Sequence, residues 1–208
     1  MAGQYIAIEG NIGAGKSTLA RLLSDYYKAP LIPESFAENL FLPLFYKDAA
    51  RYALPLELSF LAQRYKQLTG SLAAYAHEPI IVADYIFLKS SLFAGINLEG
   101  AEYDLFQSYF DIVNAHIPNP DVLIFLDAPV DVLLQNIHAR GRAYEQNIKS
   151  AYLERIQHIY NRYIDSAGIK TIVVDRTAVD FLKQPDYIAM LAQFINNCKD
   201  NKIYHFSL

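Results

Sequence analysis

Apolar residues follow two alternating patterns along the chain. Short continuous runs are typical of strands buried on both faces, and apolar positions three and four residues apart are typical of helices. The runs that predict strands are residues 5–8, 79–83, 121–126 and 170–174, with a short extended piece at 30–33. Helices are predicted over residues 18–27, 40–52, 54–76 and 105–116, among others. Strands that alternate with helices predict a single α/β domain over residues 1–208, with a parallel sheet of about five strands covered by helices.

Composition narrows the class of protein. Of the 208 residues, 53% are hydrophobic, and the formal net charge is −4, whereas a general nucleic-acid binder needs a basic surface. No run of about 18 apolar residues is present, and the N-terminal residues lack the basic and apolar segments of a secretion signal. We therefore expect a cytoplasmic protein with no nucleic-acid or membrane partner. The single cysteine, Cys198, fits a reducing compartment.

A carboxylate residue follows each predicted strand. Ligands of open parallel sheets bind beyond the carboxyl ends of the strands, so we expect some of these acids to lie together at one edge. Local capping of a strand or a helix explains any single one of them equally well. The five acids are Glu9, Glu34, Asp84, Asp127 and Asp175.

The clearest motif is G-x-x-x-x-G-K-[ST] at residues 10–17, between the first predicted strand and the first predicted helix. Glycines allow main-chain N–H groups to converge on phosphate oxygens, and the start of the helix adds a positive partial charge. Lys16 would reach the β- and γ-phosphates of a nucleoside triphosphate, and the Ser17 hydroxyl would bind Mg²⁺. We call residues 10–18 the phosphate loop. Its predicted nucleotide-binding residues are Gly10, Asn11, Ile12, Gly13, Ala14, Gly15, Lys16, Ser17 and Thr18.

A second motif bears on what happens to the γ-phosphate. The phosphate loop alone is compatible with a kinase or with a hydrolysing switch or motor module. Arg140-Gly141-Arg142 lies between two predicted helices, where the glycine allows a hinge and the arginines can stabilise charge on a moving phosphoryl group. We call residues 140–150 the lid. An arginine-bearing lid favours the kinase over the switch.

Together these motifs resemble those of the deoxynucleoside kinase family, and most closely those of its bacterial deoxyguanosine kinase branch. The resemblance extends from residue 5 to about residue 181 and implies the P-loop kinase three-layer fold, ATP as donor with Mg²⁺, a deoxynucleoside acceptor and a homodimer. Residues 175–181, including Asp180 and Phe181, resemble the loop around the donor adenine. The matching segments are IEGNIGAGKST (8–18), LFLPLFY (40–46), LSFLAQRYKQL (58–68), IIVADYIFLKSSLFA (80–94), RGRAYEQ (140–146) and AYLERI (151–156).

The resemblance also implies roles for individual residues. Glu34 matches the general base that accepts the proton of the 5′-hydroxyl, and Asp84 matches the acid that orients this hydroxyl or holds the waters of Mg²⁺. Tyr46 and Glu145 match the pair that binds the sugar 3′-hydroxyl. Capping of the following helix is the alternative explanation for Glu34.

Two positions depart from the family pattern. Tyr85 lies where most members have an arginine, and we hypothesise that Lys89, about one helical turn further on, supplies the missing positive charge. Asn136 lies where many members have another lid arginine, so Arg140 and Arg142 would stabilise more of the transition-state charge.

The resemblance assigns base recognition to Glu57 and Arg64, which lie seven residues apart on one helix face. We expect Phe93 to stack on the base, and a plain core position is the alternative for this residue. The family has glutamine at the first position. A carboxylate only accepts hydrogen bonds, and guanine offers two adjacent donors, so glutamate at position 57 favours deoxyguanosine. Deoxyadenosine or deoxycytidine remains the alternative acceptor. A simple Glu57–Arg64 ion pair on the helix surface is the alternative structural explanation.

Overall fold

The computed structural model describes residues 3–35, 39–176, 184 and 186–207. Its strands are β1 (Gln4–Gly10), β2 (Leu31–Ile32), β3 (Ile80–Ala83), β4 (Val122–Asp127), β5 (Lys170–Asp175) and β6 (Ile203–Phe206). They form one sheet in the order β2-β3-β1-β4-β5-β6, and every neighbouring pair is parallel. The parallel α/β fold predicted from the sequence is confirmed.

Helices connect the strands and cover both faces of the sheet. They are α1 (Lys16–Tyr27), α2 (Leu42–Lys47), α3 (Ala49–Ala74), α4 (Lys89–Asn97), α5 (Gly100–Asn114), α6 (Val130–Arg140), α7 (Ser150–Ser166) and α8 (Tyr187–Asn197). A short 3₁₀ helix, Ala143–Glu145, lies between α6 and α7. Within the described ranges, no helix is both long enough and apolar enough to cross a membrane.

The sheet divides the core into two apolar layers because successive strand residues face opposite sides. Ile6 and Ile8 of β1 belong to the layer beneath α1, α6, α7 and α8. Tyr5 and Ala7 of the same strand belong to the layer beneath α3 and α5. Both faces of β1 are therefore dry, which explains why the strand has a continuous apolar sequence.

The sixth strand, β6, is absent from the sequence-based prediction of about five strands. It pairs with β5 at the edge of the sheet. Its sequence, Ile203-Tyr204-His205-Phe206, contains a polar residue, and only Phe206 is buried. Edge strands need no continuous apolar run, so the pattern that identified the central strands does not detect this one.

The region predicted as helices over 40–52 and 54–76 is also divided differently. Asp48 has an extended backbone and its carboxylate accepts the N–H of Arg51 at 3.3 Å, which caps the start of α3. The helix therefore begins at Ala49 and continues through Pro55, although proline cannot donate the usual intrahelical bond. The predicted single helix over 40–52 is wrong, and α2 is a separate short element.

Gly13 allows the phosphate loop to approach α6. Its φ is 84°, and a Cβ atom at this position would lie 2.7 Å from the carbonyl oxygen of Leu133 and 3.1 Å from Ile137. A side chain would therefore meet both an unfavourable backbone conformation and a helix backbone that cannot move aside. The loop can have this shape only with glycine at position 13.

We expect Gly13→Ala to lower the free energy of unfolding by roughly 1–3 kcal/mol, because strain and steric overlap add. Gly70→Ala is the matched control: Gly70 lies in the exposed part of α3 and a Cβ atom there meets nothing within 4 Å. The control should gain roughly 0.5–1 kcal/mol from helix propensity. Urea denaturation measures both values, and equal stability of the two variants would contradict the steric explanation.

Candidate active site

The phosphate loop connects β1 to α1 at the carboxyl edge of the sheet. The Lys16 ammonium group donates to the carbonyl oxygens of Gly10 and Asn11, both at 2.9 Å. The Asn11 amide donates to the carbonyl of Leu153 at 2.8 Å, which ties the loop to α7. Burial and then repulsion by Lys89 lower the pKa of Lys16 to about 8. Lys16 therefore holds its proton less strongly than an exposed lysine does, and an anion bound beside it would stabilise the positive charge.

A cavity of about 540 Å³ opens beside the phosphate loop. Its size falls within the range that small-molecule sites occupy. Of the predicted substrate-binding residues, Asp84 alone does not line the cavity; it is buried beside it. The lining includes Lys16, Ser17, Glu34, Tyr46, Glu57, Arg64, Phe93, Arg140, Arg142 and Glu145.

Glu34 is held between two cations within the cavity wall. Its Oε1 accepts from Arg64 Nη2 at 2.9 Å and its Oε2 accepts from Lys89 Nζ at 2.7 Å. Arg64 Nη1 also donates to the Ser90 hydroxyl at 2.9 Å. Burial alone would raise the pKa of Glu34, but Lys89, Arg64 and Lys16 together lower it to about 2. The carboxylate is therefore ionised throughout the neutral pH range.

Lys89 contacts Glu34, but the backbone between residues 85 and 89 is not the helix that the sequence analysis assumed. Residues 84–88 do not form a helix, and Lys89 is the first residue of α4. The Tyr85 hydroxyl donates to Gln67 at 2.8 Å, while Lys89 contacts Glu34 directly. The predicted helical spacing between positions 85 and 89 is wrong, but a positive charge does lie against Glu34.

Three of the five strand-end acids interact electrostatically with Lys16. The other two, Asp127 and Asp175, lie side by side on β4 and β5, and neither lines the cavity. We expected some of these acids to lie together at one edge of the sheet, and three of them do so around Lys16: Glu9, Glu34 and Asp84.

Asp84 combines burial with an unsatisfied oxygen. Its Oδ1 has no hydrogen-bond partner among the described residues. Burial raises the pKa of Asp84 to about 6, with Ser17 and Lys16 opposing the rise. A buried carboxylate oxygen beside the hydroxyl of the phosphate loop is the type of ligand that Mg²⁺ prefers.

The lid arginines are both paired with one carboxylate. Arg140 ends α6, and Gly141 follows it with a φ of 72°. Arg140 Nη2 contacts Glu145 Oε2, and Arg142 Nη1 donates to Glu145 Oε1 at 3.2 Å. Glu145 is buried. Because both arginines pair with it, its negative charge partly neutralises the positive charge that they present to the cavity.

Further contacts hold the lid to the rest of the site. Tyr144 stacks on Tyr46 of α2, with ring centroids 5.9 Å apart and an interplanar angle of 22°. On the other side, the Asn136 amide donates to the carbonyl oxygen of Gly13 at 2.8 Å. Asn136 thus connects α6 to the phosphate loop.

Glu57 and Arg64 also line the cavity, and both are nearly completely buried. Arg64 pairs with Glu34, and Glu57 Oε1 accepts from the Asn97 amide at 2.7 Å, so the surface ion pair considered from the sequence is absent. Glu57 Oε2 and Arg64 Nε have no partner among the described residues. Burial raises the pKa of Glu57 to about 7, with the Asn97 hydrogen bond, Arg64 and Lys89 opposing the rise. Phe93 also lines this cavity.

Sequence analysis did not identify several residues that line the cavity. No role was assigned to Asn97 at the end of α4, to Tyr152 within the matching segment 151–156, or to Arg176, which follows β5 in the segment that resembles the loop around the donor adenine. Arg176 donates from Nε to the carbonyl of Ala14 at 3.3 Å. Asp180 and Phe181, which the resemblance places near the donor adenine, lie outside the described residues.

Comparison with known proteins agrees with this geometry. The family model for deoxynucleoside kinases matches residues 6–198. Deoxyguanosine kinase of Bacillus subtilis is 33% identical over 185 residues, which cover 86% of this chain and 89% of that protein. Deoxyadenosine kinase of Dictyostelium discoideum is 29% identical over 92% of this chain and 78% of its own length.

Solved structures show the same fold. Deoxyadenosine kinase from M. mycoides, with the products dCMP and a flexible dCDP bound, has a TM-score of 0.79 and 25% identity. The match covers 94% of this chain and 100% of that one. The match of the family model to nearly the entire chain, together with a cavity that joins a phosphate loop to a buried carboxylate, shows that the chain belongs to the deoxynucleoside kinase family.

Proposed function

We propose that the protein transfers the γ-phosphoryl group of ATP to the 5′-hydroxyl of a purine 2′-deoxynucleoside, with deoxyguanosine preferred. The observation that carries this proposal is that Lys16 and Glu34 line the same cavity. A γ-phosphate near Lys16 can therefore face a sugar hydroxyl near Glu34. Holding both reactants in one cavity supplies much of the catalysis that such a reaction needs.

Glu34 orients the nucleophile. Because phosphoryl transfer depends mainly on positioning and electrostatics, the ionised carboxylate first accepts a hydrogen bond from the 5′-hydroxyl. It then takes the hydroxyl proton as the new phosphorus–oxygen bond forms and the bond to ADP breaks. Lys89 and Arg64 hold the carboxylate in place and keep it charged.

Mg²⁺ belongs to this proposal as the partner of ATP. Ser17 and Asp84 would hold it, directly or through water, because the free Asp84 oxygen lies beside the phosphate loop. When bound, the ion neutralises charge on the β- and γ-phosphate oxygens.

The lid supplies further positive charge during transfer. Arg140 and Arg142 line the cavity and would stabilise the charge on the transferred phosphoryl group. Their present partner, Glu145, matches with Tyr46 the pair that binds the sugar 3′-hydroxyl. Both of these residues line the cavity near the lid, which supports that role.

The preference for guanine rests on Glu57. Its unpartnered Oε2 offers an acceptor, and guanine presents N–H groups on the corresponding edge. Arg64 Nε offers a donor for O6 or N7, and Phe93 offers a ring for stacking. This combination favours deoxyguanosine over deoxyadenosine.

Assembly and location complete the proposal. Leu105, Tyr109 and Ile112 are exposed on α5 at spacings of four and three residues, so they form one apolar face. A second copy of the chain would bury this face in a homodimer, as the family resemblance implies.

The low cysteine content and the substrate class support a cytoplasmic location.

We expect the purified protein to convert a purine deoxynucleoside, ATP and Mg²⁺ into the monophosphate, and Glu34→Gln to lower kcat roughly 10²- to 10⁴-fold. Glu154→Gln, an exposed change on α7, is the matched control and should retain activity. Product analysis with a panel of deoxyadenosine, deoxycytidine and deoxyguanosine identifies the acceptor. Phosphate release that is independent of any nucleoside would instead support a nucleotide-dependent switch.

Lys89→Met should lower kcat roughly 10²-fold, because the methionine fills similar space but leaves Glu34 without one of its two cations. Tyr85→Phe removes a hydroxyl that contacts Gln67 rather than Glu34 and should have a much smaller effect. Steady-state kinetics with saturating ATP provides the comparison. Unchanged turnover in Lys89→Met would show that Lys89 does not replace the family arginine.

Glu57→Gln should shift selectivity from deoxyguanosine toward deoxyadenosine by roughly tenfold or more, because glutamine can both donate and accept. Internal competition between the two nucleosides measures the ratio of their kcat/KM values directly. A ratio that stays constant, or that moves further toward deoxyguanosine, would contradict the assignment of base recognition to Glu57.

A further inference from the structure

The two oxygens of the Glu57 carboxylate have different surroundings. Oε1 accepts from Asn97 Nδ2 at 2.7 Å, whereas the buried Oε2 has no partner among the described residues. The carbonyl oxygen of the same Asn97 amide accepts from the Tyr152 hydroxyl at 3.2 Å. These three side chains form a hydrogen-bonded chain that lines the cavity and ends at one open oxygen.

Two helices fix this chain. Asn97 is the last residue of α4, and Tyr152 lies in the first turn of α7. Arg155 of α7 donates to the carbonyl of Ile96 at 2.6 Å, which ties the end of α4 to α7. The Tyr152 hydroxyl has a single proton to donate. The ionised Glu57 carboxylate only accepts, so it requires the amide nitrogen of Asn97, and the Tyr152 hydroxyl supports this orientation by donating to the amide oxygen.

We propose that Asn97, oriented by Tyr152, is a positioning residue that sets the purine preference of the site by saturating one Glu57 oxygen and leaving the other to meet the base. This inference rests on the function proposed above. An amide donor against Oε1 favours a carboxylate, which accepts from guanine N1–H or its amino group. A protonated Glu57 would instead carry an O–H donor, which suits the N1 acceptor of adenine.

The charged and titratable groups around Glu57 agree with this role. Arg64 faces it from α3, Lys89 from α4 and Tyr152 from α7. Burial raises the pKa of Glu57, and the hydrogen bond from Asn97 is the first of the contributions that lower it again. Loss of that hydrogen bond would raise the pKa further and increase the neutral, adenine-compatible fraction near neutral pH.

The experiment measures kcat/KM for deoxyguanosine and deoxyadenosine between about pH 6 and about pH 9, together with their competition ratio. In Asn97→Ala, we expect the deoxyguanosine-to-deoxyadenosine ratio at neutral pH to fall roughly tenfold. The acid limb of the deoxyguanosine profile should also move to higher pH. Tyr152→Phe keeps the ring and should shift both readouts in the same direction by a smaller amount.

Three comparisons separate this role from a general structural effect. Asn161→Ala, an exposed change on α7, should leave both the deoxyguanosine-to-deoxyadenosine ratio and the acid limb of the pH profile unchanged. Glu57→Gln should remove the contribution of residue 57 to the acid limb of the pH profile, because glutamine does not titrate. We expect titration of Asp84 to affect both nucleosides alike and to be common to every variant. It should therefore change neither the nucleoside ratio nor the difference in the acid limb between variants.

The outcomes also separate this inference from the proposed function. Monophosphate formation with an unchanged ratio and an unmoved limb in both Asn97→Ala and Tyr152→Phe would overturn the role of Asn97 alone. A lower overall rate with the limb in place would show a merely structural role and would overturn it too. Failure of the wild-type protein to phosphorylate any deoxynucleoside would overturn the proposed function itself.

Discussion

The buried ion cluster around Glu34 is the interaction on which the site depends. A carboxylate without water is stable only when cations or donors satisfy it, and here Arg64 and Lys89 each take one oxygen. Arg64 comes from α3 and Lys89 from the start of α4, so the cluster also joins two helices that line the cavity. The carboxylate that we propose as the orienting group is thus held by two helices that also line the cavity.

Charge balance extends from this cluster toward the phosphate loop. Lys16 and Lys89 repel each other, while Glu9, Glu34 and Asp84 compensate them. Glu9 also accepts from the Tyr160 hydroxyl at 2.8 Å and is completely buried. Such an arrangement keeps Glu34 strongly ionised while it leaves Asp84 and Lys16 with pKa values closer to neutrality. Environment rather than residue type therefore separates the pKa values of Glu34 and Asp84.

Sequence patterns identified the central strands and the phosphate loop because local requirements determine both. Dry strands need continuous apolar residues, and a phosphate cradle needs glycine at positions such as Gly13. The edge strand β6 escaped detection because it is only partly buried. The break at Asp48 escaped it because a capping residue and an exposed polar residue look alike in sequence.

Site residues show the same division between local and distant causes. The carboxylates Glu34 and Asp84 follow strands in the sequence and could be predicted there. The partnership of Arg64 with Glu34, and that of Asn97 with Glu57, join residues 30 and 40 positions apart, and only the fold brings them together. The resemblance to a family indicated Glu34, Arg64 and Glu57, but it indicated neither Asn97 nor the pairing of Arg64 with Glu34.

The bond between Asn136 and Gly13 has a consequence for any opening of the lid. It connects α6 to the phosphate loop, and Leu133 and Ile137 of the same helix lie so close to Gly13 that a Cβ atom would not fit between them. A lid that opened would turn at Gly141, where α6 ends, and it would break the Tyr144–Tyr46 ring contact, the Gln146 bond to the Ile137 carbonyl and the burial of Ile148. Exchange of a nucleotide by such a movement would leave the shape of the phosphate loop unchanged.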